Sequence, residues 1–117
     1  LSYEELVLHA QAEAARREYN KRQFENYQDE AYRRYNNGDL YGFLTYSNYA
    51  LGTGWYNDKL YYDRGCVYEN LNDFKNAKKE FKKAKKSGYA YAESALQALK
   101  IHEKEYKQRK NRKKPIV

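Results

Sequence analysis

A chain of 117 residues suits one domain with a modest core and is too short for two large independent ones. One Cys and two widely separated His leave no internal disulfide and no zinc-like spacing, and no apolar run approaches the roughly 18 to 20 residues that cross a bilayer. The formal charge of +7 is uneven: residues 1–57 carry 6 Lys/Arg against 8 Asp/Glu, a net −2, and residues 58–117 carry 17 against 8, a net +9.

With a single Pro, six Gly and 33% charged residues, the expected class is all-α, with no sheet. From Tyr3 to Tyr35 there is no Gly or Pro, and Leu6, Ala10, Ala14, Phe24, Tyr27, Ala31 and Tyr35 recur near the helical period. This predicts helix throughout, with a break near Asn20. "NNGD" (36–39) supplies a stop at Gly38 and a new N-cap at Asp39. A second helix is predicted over about Leu40 to Leu51, ending at "GTG" (52–54), and a third, capped by Asn57, over Asp58 to about Asn70. "NLND" (70–73) repeats the earlier turn. Asp73 caps a fourth helix over Phe74 to Lys86, stopped by Ser87 and Gly88. A last helix begins near Ala90, with Ala92, Ala95, Leu96, Leu99 and His102 on one face, and residues 104–117 read as a basic, partly disordered tail.

The segment 61–89 matches the one 34 residues earlier in layout. Tyr61, Gly65, Tyr68, Ala77, Phe81 and Ala84 stand over Tyr27, Ala31, Arg34, Phe43, Ser47 and Ala50, and the caps Asp73 and Asp39 fall in register. On these residues the chain resembles the tetratricopeptide repeat family, over about residues 24–102. The unit 58–91 meets that family's pattern except at Arg64, which stands for Leu, and Tyr89, which stands for Pro. The unit 24–57 inverts the small-then-aromatic order with Phe43 and Ser47, and Gly42 is expected to make room for the larger ring. The Sel1-like repeats share the "KKSGYAYA" style of ending, but their units are usually longer. The resemblance implies a right-handed array of two antiparallel helical hairpins. An extra N-terminal helix (1–23) and a C-terminal capping helix flank them, within one domain over residues 1–103.

In that family the first helix of each pair lines a concave surface holding a peptide. The resemblance places Gln28, Tyr32, Tyr35 and Asn36, then Lys59, Tyr62, Asp63, Cys66, Glu69 and Asn70, on it. Tyrosine with Asn and Gln offers rigid apolar area plus hydrogen bonds, so Tyr32, Tyr35, Asn36, Tyr62, Cys66, Glu69 and Asn70 are the expected partner-binding set. The packing of a flanking helix over these rings is the structural alternative. The family's clamp for chaperone carboxylates needs Lys and Asn where Gln28, Tyr32, Asp63, Glu93 and Gln97 stand, so an acidic chaperone tail is not the expected ligand.

The lysines Lys75, Lys78, Lys79, Lys82, Lys83, Lys85 and Lys86 avoid Ala77, Phe81 and Ala84, and read as the solvated face of the fourth helix. Lys107, Arg109, Lys110 and Arg112 in the tail are candidates for nonspecific anion binding, though without interleaved aromatics for base stacking. His9 and His102 have no nucleophile or carboxylate constellation, no Gly-rich phosphate loop occurs, and His102 reads as a packing residue. Arg64 near Cys66 would favour a thiolate, whereas burial would leave an inert thiol.

The expectation is a noncatalytic protein-interaction module that holds a peptide or protein segment in a tyrosine-rich groove. No cofactor or metal is expected, and the chain is expected to be a monomer or weak homo-oligomer. The alternatives are binding of nucleic acid or an anionic surface through the basic half, and a structural fragment of a longer repeat array. With no Met in the sequence, Leu1 is not a natural start, so a mature form or an excised fragment is expected. The chain is expected to be soluble. A cytoplasmic location is favoured, and removal of a targeting segment is compatible with the start at Leu1.

Overall fold

The computed structural model describes residues 1–112, which form five helices and no strand: α1 (Tyr3–Asn36), α2 (Leu40–Leu51), α3 (Asp58–Asn70), α4 (Phe74–Lys86) and α5 (Ala92–Arg112). The chain divides into two compact units, Leu1–Tyr56 and Asn57–Val117. In the first α1 pairs with α2, and in the second α3 pairs with α4 and α4 with α5.

The helix ends follow from local chemistry. Asp39 accepts a hydrogen bond from the Gly42 amide at 2.9 Å, Asn57 from Leu60 at 2.7 Å and Asp73 from Asn76 at 3.2 Å, each satisfying an amide that the first turn leaves open. At the C-terminus of α1 the Gly38 amide donates to the Tyr35 carbonyl at 3.0 Å and the Asp39 amide to Arg34 at 2.9 Å. At the C-terminus of α3, Asn72 donates to Glu69 and Asp73 to Tyr68, both at 2.9 Å, so each donor and acceptor lies 34 residues on. The same pair of bonds closes α4 through Gly88 and Tyr89. These are Schellman ends, which need a left-handed residue after the helix. Gly38 and Gly88 supply it at φ +79° and +91°, and Asn72 at +60°.

In the first unit Phe24, Ala31, Phe43, Leu44, Ser47 and Ala50 are buried. In the second, Leu60, Val67, Phe74, Ala77, Phe81, Ala84, Ala92 and Leu99 are buried. Phe74, Ala77, Phe81 and Leu99 form a cluster against which Tyr62, Cys66, Tyr68, Ala95, Leu96 and Tyr106 pack. Gly65 is required here, because a Cβ at that position would lie 2.5 Å from the Phe81 ring.

Two expectations change, and one pairing is added. The break near Asn20 is absent, so residues 1–23 give no separate helix: α1 runs unbroken through Asn36. One Asn costs a helix under about 1 kcal/mol, too little to interrupt a run free of Gly and Pro. Residues 104–112 are helical rather than tail, because Tyr106 packs against Phe74 with ring centroids 5.4 Å apart and Lys107 pairs with Glu103 at 3.0 Å. Residues 113–117 of the expected tail lie outside the described residues. A Cβ at Gly42 would strike the Asp39 carboxylate that caps α2, so the glycine also serves the cap. Finally, Arg64 and Glu80 are both buried at 4% exposure and paired at 3.3 Å, a pairing between helices that the sequence reading missed.

Candidate functional site

In the first unit the last turns of α1 carry Tyr32 and Tyr35, whose rings lie 5.5 and 5.4 Å from that of Phe43. Phe43 is wholly buried, so the two tyrosines lean on the seam between α1 and α2. Tyr35 still exposes 41% of its surface, and Asn36 beside it is exposed. Arg34, which lies 34 residues before Tyr68, bonds Glu30 at 3.0 Å and Asp39 at 3.3 Å and sits 5.1 Å over the Tyr46 ring. The two carboxylates raise its already high pKa further.

In the second unit Tyr62 lies 5.7 Å from Phe81 and stacks on Tyr89 at 4.6 Å, so the ring is held from two sides. Burial, reinforced by the neighbouring Cys66 thiol, pushes the Tyr62 hydroxyl up to about 12. Burial likewise pushes the Cys66 thiol up, against the effect of its hydrogen bond with Tyr62, so Arg64 does not make a thiolate of it. Lys59 pairs with Asp63 one turn on at 2.7 Å. Glu69 Oε2 lies 2.8 Å from Nδ1 of His102 on α5, and the His102 ring stands edge-on to Phe74 at 5.0 Å. His102 is therefore a packing residue, and α5 covers part of the α3 surface. Asn70 is exposed.

Of the expected partner-binding set, Tyr32, Tyr35 and Asn36 come together in the first unit, and Tyr62, Cys66, Glu69 and Asn70 all lie on α3 in the second. Tyr35, Asn36 and Asn70 are exposed, and the others are half-buried. What each of these two groups of side chains can do chemically is hydrogen-bond and offer flat apolar area. Among the described residues no three His, Cys, Asp or Glu side chains gather as a metal site needs, and no helix is long and apolar enough to cross a membrane.

No protein-family model, curated protein or solved structure matches the chain.

The basic candidates separate. Lys107 is paired with Glu103, Arg112 is exposed on the last turn, and Arg109 and Lys110 border an open cleft of about 300 Å³ with Asn72 and Tyr106. The seven lysines of α4 are all exposed, on the side away from Ala77, Phe81 and Ala84. Three of them nevertheless edge a second, larger cleft of about 560 Å³ against α5, which the sequence reading did not find. Its signal was Ile101, an apolar residue off the Ala92, Ala95, Leu99 stripe.

Proposed function

We propose that the chain is a noncatalytic protein-interaction module of the tetratricopeptide type, binding a peptide or protein segment through the tyrosine-bearing surfaces of α1 and α3. The observation that carries this reading is the 34-residue identity of the two turn geometries, bond for bond, together with the left-handed residue at 38 and 72. A sequence offset alone can be compositional; caps and end bonds that fall at the same offset support the reading of a repeated unit. In the family that the chain resembles, the first helix of each such hairpin presents the binding surface. The exposed residues of that kind are Tyr35 and Asn36 on α1 and Asn70 on α3, a composition suited to recognising polar backbone and apolar side chains at once.

The test is a capture experiment from the native source with wild type and a Tyr35→Ala, Asn36→Ala, Asn70→Ala variant, with circular dichroism and thermal melts to check that losing the Tyr35 ring from Phe43 leaves the first unit folded. Loss of specific partners from the variant is expected. Capture of the same proteins by both would end the reading. Binding that collapses by orders of magnitude between low and moderate salt would instead assign the interaction to the basic half.

A further inference from the structure

The helices α2 and α4 start 34 residues apart, each as the second helix of a pair, and they differ sharply in charge. No side chain of α2 is charged, whereas α4 has seven lysines and a single acid, Glu80, which is buried and paired with Arg64. A helix in this place packs without lysine, so the lysines are not a demand of the fold. All seven are exposed. Lys85 bonds Glu93, and Lys83 lies 5.6 Å over the Tyr61 ring. Lys75, Lys78, Lys79, Lys82, Lys83 and Lys86 are in no ion pair among the described residues. A face that serves solubility alone mixes both signs, because like charges one turn apart disfavour a helix. On α4 the neighbours one turn apart, Lys75 with Lys79, Lys78 with Lys82, Lys79 with Lys83 and Lys82 with Lys86, are all of one sign. A polyanion laid along the face relieves every one of these repulsions.

The fan of the lysines narrows the choice of polyanion. Lys78 and Lys83 project about 140° apart around the axis with the other four between them, along about 16 Å from Lys75 to Lys86. A flat anionic bilayer meets only the crest of such a fan, and every apolar side chain of α4 is buried, so none is left to enter the lipid. A single strand asks for aromatic rings among the cations, and α4 exposes none. The major groove of B-form DNA, about 12 Å wide between phosphates on both rims, admits a helix whose diameter with side chains is about 10–12 Å. Asn76, the remaining polar side chain of α4, donates to the Asp73 carboxylate at 2.7 Å. The face thus offers charge to phosphates and no free Asn, Gln or Arg to select a base. We propose that α4 binds double-stranded DNA without regard to sequence, lying in the major groove with Lys78 and Lys83 towards its two rims. The proposal uses none of the tyrosine surface, so it and the peptide-binding reading can fail separately.

The probe is a fluorescent mixed-sequence DNA duplex of about 20 base pairs, two helical turns, titrated with the whole chain and followed by anisotropy. Its logarithmic association constant is expected to fall with log salt at a slope of about −4 to −5, as four to six lysine–phosphate contacts give. Lys79→Gln with Lys82→Gln should weaken binding about tenfold or more at about 100 mM salt and make the slope shallower by about 2, with circular dichroism unchanged. Lys104→Gln with Lys110→Gln removes the same charge from exposed positions of α5 and should weaken binding about threefold or less. An RNA duplex of the same sequence, whose major groove is too narrow for a helix, should bind about tenfold more weakly than DNA. The proposal is overturned by absence of binding at low salt, by an α4 variant that binds like wild type, or by an α5 variant that loses as much as the α4 one. RNA duplex that binds as tightly as DNA, or phosphatidylserine vesicles that displace DNA at equal charge, would overturn it as well.

Discussion

At Gly65 the second hairpin has spent its last methyl group of space. Since an added Cβ would fall 2.5 Å from the Phe81 ring, which is itself buried and cannot swing away, Gly65→Ala is expected to lose about 1–3 kcal/mol despite its better helix propensity, read as a lowered urea midpoint at unchanged slope. Arg64 and Glu80 give a second test at this scale. Their ion pair is out of water, so Glu80→Ala, which strands a buried guanidinium, should cost about 3–5 kcal/mol, whereas Arg64→Leu together with Glu80→Leu should recover most of that loss. A Leu at 64 is what the resemblance leads one to expect, and the chain departs from it by supplying a partner sixteen residues away on the facing helix. No local signal marks that partner: Glu80 reads in sequence as one more charge among lysines.

The helices divide by how their length relates to what they pack against. The C-terminus of α1 and the bounds of α2, α3 and α4 could be read from Gly38, Asp39, Asn57, Asp73 and Gly88, because caps and left-handed ends act within a few residues. The continuity of α1 past Asn20 and the extent of α5 could not, because a lone Asn and a run of basic residues carry no local signal that decides between helix and its interruption. Between residues 3 and 19 of α1 every side chain but Val7 is exposed. Such a stretch rests on propensity and on the Ser2 cap, whose hydroxyl accepts from the Glu5 amide at 3.2 Å, rather than on tertiary contact. Its amides are expected to exchange with deuterium far faster than those of residues 24–36 at neutral pH. Equal protection along the whole of α1 would mean that the first half is packed in solution.

Over the whole molecule, the charge asymmetry visible in the sequence persists as exposed lysine on α4 and basic last turns on α5, while the aromatic content goes largely into seams between paired helices. Composition foretold both, but not that Tyr62 would be clamped between Phe81 and Tyr89, since Tyr89 arrives from beyond the end of α4. That clamp, by burying the Tyr62 hydroxyl, makes stability depend on pH on the alkaline side. The folded chain holds the Tyr62 proton up to about 12, against an ordinary 10.0, and the Cys66 proton is likewise held above its ordinary 9.0. The folded state therefore binds more protons than the unfolded one in this range, and the stabilisation is whole below about pH 9 and lost as pH rises through 10 towards 12. Tyr62→Phe should flatten the fall in thermal midpoint over pH 10 to 12. A curve as steep as wild type would show that another group sets it.

The shape of the Gly65 contact also governs how the two hairpins can change. At the matching places of the first hairpin stand Ala31 and Ser47, both wholly buried, and the large ring has moved to Phe43, where the second hairpin has Ala77. Returning that ring to position 47 by Phe43→Ala with Ser47→Phe should leave a protein less stable than the same pair with Ala31→Gly added, although glycine alone weakens a helix. The order in which substitutions become tolerable is thus fixed by one methyl group: room must be cleared at 31 before a ring can settle at 47. Two hairpins with the same turns and the same caps are not interchangeable residue by residue, and a chimera exchanging only their second helices should inherit a clash from one parent and a void from the other.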